Sequence, residues 1–174
     1  MSIVQINLVL SILALLGQVF VIILLVFLLF FRKSQSKLAK VMSSSFVPLA
    51  FIVALVATGG SLYYSQIAKF TPCELCWFQR IFIYPQVILL GMAWFKKEKY
   101  ILDYSLVMIA VGTIISVYHN YIYYTAKPSG VCSIVAPCTQ QYIVGLDYVT
   151  IPLLALTSLI LMGLLLLSKK IIKT

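Results

Sequence analysis

The chain has 174 residues, 63% of them hydrophobic and only 10% charged, with a mean hydropathy of +1.09. That much apolar surface excludes a water-soluble domain of this size and points to an integral membrane protein, helical because a bilayer offers the backbone no hydrogen-bond partners. The formal charge of +9 does not indicate nucleic acid, because the basic residues gather at the ends of apolar runs, and the alternation expected of a membrane barrel is absent.

The first apolar run, 3–31, is long enough to cross about 30 Å of hydrocarbon with some tilt. No positive charge precedes it, and it far exceeds the roughly 7–15 residues of a secretory signal core, so it is expected to remain as an anchor. Arg32, Lys33, Lys37 and Lys40, interleaved with Ser34, Ser36 and Ser43 to Ser45, make the next stretch a polar, basic linker. The chain therefore divides into residues 1–45, an anchor with a cytoplasmic linker, and residues 46–174, a core of four spans.

The second span is predicted over 46–64, softened by Gly59-Gly60, and a short loop, 65–72, follows it. That loop leads into Pro72-Cys73-Glu74-Leu75-Cys76-Trp77-Phe78-Gln79-Arg80 at the mouth of the third span, 77–95. Lys96, Lys97 and Lys99 stop this span, and Pro85 inside it is expected to kink or break the helix. The fourth span, 101–124, ends in Tyr118, Tyr121, Tyr123 and Tyr124, an aromatic belt suited to the membrane interface. The loop 125–148 holds Lys127, Cys132, Pro137 and Cys138 and is too polar and too broken to cross a bilayer. A fifth span, 150–167, precedes Lys169, Lys170 and Lys173.

Five spans put alternate loops on opposite sides. Ten of the thirteen basic residues then fall on one side, and only Lys69, Arg80 and Lys127 on the other. The positive-inside rule places the N-terminus outside, the C-terminus in the cytoplasm and both cysteine loops outside the cytoplasm.

All four cysteines lie in those two outer loops, in an oxidising setting where either pair can persist as a disulfide. Four cysteines allow three connectivities. Pairing within each loop is the simplest at rest, and a bond across the loops such as Cys73–Cys138 stays open.

Three readings compete for the cysteines. Structural staples would suit small outer loops, but a Cys-x-x-Cys ring is too short to gain much from loop closure. A zinc site has one suitable knuckle, but the second pair is spaced too widely, so no metal ligand is assigned. A redox pair fits best. Arg80 lies four positions after Cys76, on the same helix face, and a helix N-terminus and a cation both favour thiolate. His119, the single histidine, sits at the outer end of the fourth span, as an interfacial residue bonded to the backbone or as a proton or hydrogen-bond donor at the site.

The stretch Pro72 to Arg80, with Val117-Tyr118-His119, Pro137-Cys138-Thr139-Gln140-Gln141-Tyr142 and Thr150-Ile151-Pro152, resembles the disulfide bond formation protein B family of thiol-quinone oxidoreductases. It is most similar to the short branch of Gram-positive bacteria often named BdbC. The resemblance covers about residues 46–168, four spans and both loops. It implies an all-α membrane protein, a four-helix transmembrane bundle with one extra N-terminal helix, in the cytoplasmic membrane of a bacterium. It further implies an enzyme that reoxidises a soluble or lipid-anchored thioredoxin-fold thiol oxidase and passes electrons to a quinone, menaquinone or ubiquinone. Carried over position by position, Cys132 receives the partner's attack, Cys138 attacks Cys73, and Cys76 faces the quinone with Arg80 and His119 beside it.

Three features depart from the family pattern. The first helix lies outside the four-span core, the loop bearing Cys132 and Cys138 is short, and Gln79 stands where some relatives carry an acid. A vitamin K epoxide reductase-like enzyme shares the chemistry, but its cysteines come in the reverse order. From a different class, a non-enzymatic membrane subunit with stapled or zinc-bound loops would use the same four cysteines.

Overall fold

The computed structural model describes residues 3–30, 37–96, 100–125, 130–132, 137–139 and 149–173. Five α-helices account for nearly all of them: α1 (Ile3–Phe30), α2 (Lys37–Leu62), α3 (Glu74–Lys96), α4 (Tyr100–Thr125) and α5 (Ile151–Lys173). A single π-helical turn, Tyr63–Ile67, extends α2. Each of the five contains a stretch long and apolar enough to cross a membrane, from Gln5–Val26 in α1 to Ile151–Ile171 in α5. The protein is an all-α, multi-pass membrane protein.

Several helix limits differ from the sequence expectation, for local reasons. α2 begins at Lys37, inside the stretch read as a linker, because Lys, Leu and Ala favour helix once a turn is formed. The expected loop 65–72 is helical as far as Ile67. There the π turn closes with the Ala68 N–H donating to Tyr63 O (3.0 Å) and the Phe70 N–H donating to Tyr64 O (2.9 Å), while Lys69 takes a left-handed φ of 59°. α3 runs through Pro85 without interruption, although the carbonyl one turn earlier loses its usual donor. At α5, Thr150 caps the first turn by accepting from the Leu153 N–H (3.3 Å), and Pro152 stands where its missing N–H matters least. Most of the loop 125–148 lies outside the described residues.

Helices α2, α3, α4 and α5 pack in a closed ring, each against its two neighbours, and α1 lies outside that ring against α5. Ala50, Ala54, Leu90, Leu159, Met162 and Leu165 fill the centre. Gly112 on α4 permits a close approach to α3: a Cβ there would lie 2.8 Å from the Cβ of Phe82. The polarity is that of a bilayer protein, with apolar side chains such as Leu16, Ile88 and Ile114 facing outward. Gln79, Gln86, Ser105, Ser116, His119 and Asn120 are buried within. They pair with one another and with backbone, Ser105 donating to Gln86 Oε1 and Asn120 Nδ2 donating to the Pro152 carbonyl (3.0 Å). At the end of the bundle where α4 begins and α5 finishes, Lys170 pairs with Asp103 at 2.7 Å. The opposite end holds the cysteines.

Candidate redox site

Cys73 is the N-cap of α3. Its carbonyl accepts the first helical bond from the Trp77 N–H (3.1 Å), and Glu74 sits in the first turn, where a carboxylate complements the helix dipole. Cys76 then falls one turn in, and the two sulfurs lie 3.1 Å apart as free thiols. Cys132 and Cys138 are joined in a disulfide, with Cα atoms 5.7 Å apart, so the second pair closes within its own loop. Cys138 is buried with Cys73, Leu75 and Ile122 in one small apolar cluster that Cys76 and Cys132 also border. All four sulfurs, drawn from two loops about sixty residues apart in sequence, therefore meet at one end of the bundle.

His119, on the penultimate turn of α4, is buried and aims Nε2 at Cys73 Sγ, 3.7 Å away. Its Nδ1 meets Gln79 Oε1 at 3.4 Å, while Gln79 Nε2 donates to Ser116 Oγ at 2.8 Å. The Ser116 bond turns the Gln79 carbonyl oxygen toward the ring, so Nδ1–H faces Gln79 and Nε2 faces the thiol, where a hydrogen shared between Nε2 and Sγ leaves negative charge on the sulfur. The contacts that stabilise a thiolate accordingly converge on Cys73. The Cys76 thiol, His119 and the Cys76 backbone N–H all favour its charged form, and together they outweigh burial and hold Cys73 down at about 4, against an ordinary 9.0.

Arg80 follows Cys76 on the same face of α3, as the spacing predicted, and both line one cavity. Its guanidinium is fixed from α2: Nε donates to Ser61 Oγ (3.0 Å) and Nη2 to the Ser61 carbonyl (3.2 Å). Tyr84 OH bonds the same Ser61 hydroxyl at 3.0 Å, and the guanidinium stacks 5.2 Å from the Trp77 ring centroid. This positioning role of Ser61 and Tyr84 was missed by sequence reasoning, as was that of Ser116. Each is a single hydroxyl in an apolar run, and only its distant partner gives it meaning. Gln79 was noticed as a departure, but not as the residue that orients His119.

The cavity has a volume of about 290 Å³. Cys73, Cys76, Gln79, Arg80 and His119 border it at one end, and Ile52, Val53, Val56 and Leu161 are among its apolar walls. Cys73, Cys76 and His119 also place three metal-capable atoms within 4.8 Å of one another. A four-cysteine zinc site is a different arrangement from the one present, since Cys132 and Cys138 bind each other.

A dithiol beside a disulfide, at the end of a membrane helix bundle, defines a membrane thiol oxidoreductase. Comparison with known proteins gives the particular family. The family model described as disulfide bond formation protein DsbB matches residues 43–167, and the chain belongs to that family. Disulfide bond formation protein C of Bacillus subtilis (strain 168) is 44% identical over 118 residues, which is 67% of this chain and 86% of that protein. A probable disulfide formation protein C 1 of Bacillus anthracis is 47% identical over 113 residues, 64% of this chain and 81% of that protein. The SPbeta prophage-derived disulfide bond formation protein B of Bacillus subtilis (strain 168) is 38% identical over 112 residues, 64% of this chain and 76% of that protein. No solved structure matches the chain. Membership in this family makes the protein a disulfide-forming enzyme and sets aside the non-enzymatic reading of its cysteines.

Proposed function

We propose that the protein reoxidises a thioredoxin-fold thiol oxidase, soluble or lipid-anchored, outside the cytoplasm and delivers the electrons to a membrane quinone, menaquinone or ubiquinone. The observation that carries this is the meeting of two cysteine pairs in different oxidation states at the polar end of an otherwise apolar cavity. Cys73, Cys76, Cys132 and Cys138 are the catalytic thiols, and Cys76, Arg80 and His119 are the quinone-side residues. The membrane is the cytoplasmic membrane of a bacterium, with the N-terminus and both cysteine loops outside and the C-terminus in the cytoplasm, as the distribution of basic residues favours.

Thiol–disulfide exchange accounts for the order of events. The partner's thiolate attacks Cys132, and Cys138 leaves as a thiolate. The partner's second thiol resolves the mixed disulfide, so the partner departs oxidised and Cys132 is reduced. Cys138 attacks Cys73 of an oxidised Cys73–Cys76 pair and frees Cys76 as a thiolate bordering the cavity. Cys132 then attacks Cys138, restoring their bond and leaving Cys73 as a thiolate. The end of this sequence is a Cys132–Cys138 disulfide with a reduced Cys73 and Cys76, the combination found here.

The donor set suits a quinone: a thiol, a cation and an imidazole at one end of a slot with apolar walls. When bound, a quinone supplies a sink for two electrons and two protons. Arg80, held by Ser61, keeps a positive charge beside the cavity, and His119 Nε2 can take up or return the proton of Cys73 Sγ. The direct test is turnover of the purified protein with a reduced thioredoxin-fold partner and a quinone. Partner oxidation and quinone reduction should run one to one and stop in Cys132→Ser. Partner oxidation that proceeds at the same rate without quinone, under exclusion of oxygen, contradicts the proposal.

A further inference from the structure

Helix α1 lies outside the matched family region, residues 43–167, and the redox chemistry above makes no use of it. It is nevertheless built into the cavity. Leu10, Leu13, Ala14 and Gly17 of α1 line the same space as Cys76 and Arg80. Gly17 faces α5, where an added Cβ would sit at ordinary contact distance from Thr157 (3.5 Å) and Leu161 (3.8 Å), and α1 packs along that helix. On the α2 side, Leu10 rests against Gly60, and Tyr64 OH donates to Asn7 Oδ1 at 2.9 Å. Thus α1 closes the seam between α2 and α5 along one side of the redox cavity.

We infer that α1 forms the wall of a subsite for the isoprenoid chain of the quinone, and that it sets how strongly the enzyme depends on that chain. This rests on the quinone reading given above.

The distribution of polar groups selects the occupant. Hydroxyls deeper in the cavity are turned away from it, because Thr157 Oγ1 donates to the Leu153 carbonyl (2.9 Å) and Ser158 Oγ to the Ala155 carbonyl (2.8 Å). The free polar chemistry is concentrated at the Cys76 and Arg80 end, while the α1 side offers aliphatic surface. An amphiphile with an oxygen-bearing ring and a hydrocarbon tail matches that division. A lipid acyl chain would match the tail end but has no ring for the redox end, so competing lipid is the outcome to be distinguished from quinone.

The test uses the full chain in detergent with its dithiol partner and two quinones that share a ring, one with a long isoprenoid chain and one without a chain. Ala14, buried on α1, is replaced by Phe to fill the subsite (Ala14→Phe), and Leu16, on the outward face, is replaced by Phe as a control. Ala14→Phe should raise the KM for the long-chain quinone about tenfold or more, change the KM for the chainless quinone less than about twofold, and leave kcat similar. Leu16→Phe should match the unaltered protein. A long-chain quinone with a photoreactive group at the chain end should label α1 in the unaltered protein, without requiring any variant to fold. Equal KM changes for both quinones, or labelling confined to α2 and α5, overturns the inference. Loss of labelling on addition of phospholipid, with no effect of excess quinone, identifies an acyl-chain site and also overturns it. An unaltered protein indifferent to every quinone overturns the parent proposal instead.

Discussion

His119 Nε2 lies 3.7 Å from Cys73 Sγ, across the interface of α3 and α4, and no other histidine exists in the chain. The contact gives the N-cap cysteine a base, and a chain of bonds through Gln79 to Ser116 fixes which ring nitrogen serves. In the proposed relay Cys73 is the thiol attacked by Cys138 and later released from it, so its charge state bears on both steps.

The pH dependence follows from that contact. Cys73 is depressed from 9.0 to about 4, first by the Cys76 thiol and then, against the opposing effect of burial, by His119 and the Cys76 backbone N–H. A depressed value means that the linked stabilisation of the reduced fold is complete above about pH 9, shrinks as the pH falls and is gone below about pH 4. Thiolate ultraviolet absorbance of the reduced protein should therefore persist well below neutrality. Cys76→Ala should shift the titration upward the most and His119→Ala by less. A first thiolate titrating near 9 in the unaltered protein would remove the basis of this expectation.

Arg80 should separate quinone use from partner exchange. Arg80→Ala is expected to raise the apparent KM for quinone about tenfold or more, the scale of a charge-assisted hydrogen bond, while the partner still exchanges with Cys132–Cys138 at nearly the original rate. Arg80→Lys should recover only part of the loss, because an ammonium cannot span the Ser61 hydroxyl and carbonyl as the guanidinium does. An unchanged KM in Arg80→Ala reduces the residue to an anchor at the membrane interface.

Removing the leaving group of the first exchange should trap the partner. In Cys138→Ala, Cys132 is left unpaired, and a partner variant that retains only its attacking cysteine should accumulate a mixed disulfide with Cys132 when an oxidant is supplied. Non-reducing electrophoresis detects it. In Cys132→Ala the remaining Cys138 is buried against Cys73 and Leu75, so the adduct with the partner should be much weaker.

Stability should be sensitive where α3 and α4 touch. Gly112→Ala places a methyl 2.8 Å from the Phe82 Cβ, an atom that no rotamer change can move, and should cost about 1–3 kcal/mol, read as a lower melting temperature in detergent. Gly60→Ala meets only the end of the Leu10 side chain at 3.5 Å and should be nearly neutral.

The fold was largely legible because the bilayer imposes it. Five apolar runs became five helices. The Cys-x-x-Cys and Arg80 were legible too, since helical spacing alone puts Cys76 and Arg80 on one face. The partners that give these residues their chemistry were not. Ser61, which holds Arg80, is nineteen positions away on another helix, and Gln79 reaches His119 forty positions on. Hydropathy has no means of pairing them, because a serine or glutamine buried at a helix crossing reads as a minor interruption of an apolar run. The same limit hid α1: its composition marks a span, but not the seam between α2 and α5 that it covers.

The central claim is that electrons leave the protein through Cys73 and Cys76 to a quinone. The measurement closest to it is thiol trapping of the reduced protein in membranes depleted of quinone, before and after quinone is restored without oxygen. Cys73 and Cys76 should remain alkylatable in depleted membranes and become a disulfide on restoration, with Cys132–Cys138 oxidised throughout in the absence of the partner. A Cys73–Cys76 pair that keeps the same oxidation state with and without quinone contradicts the account.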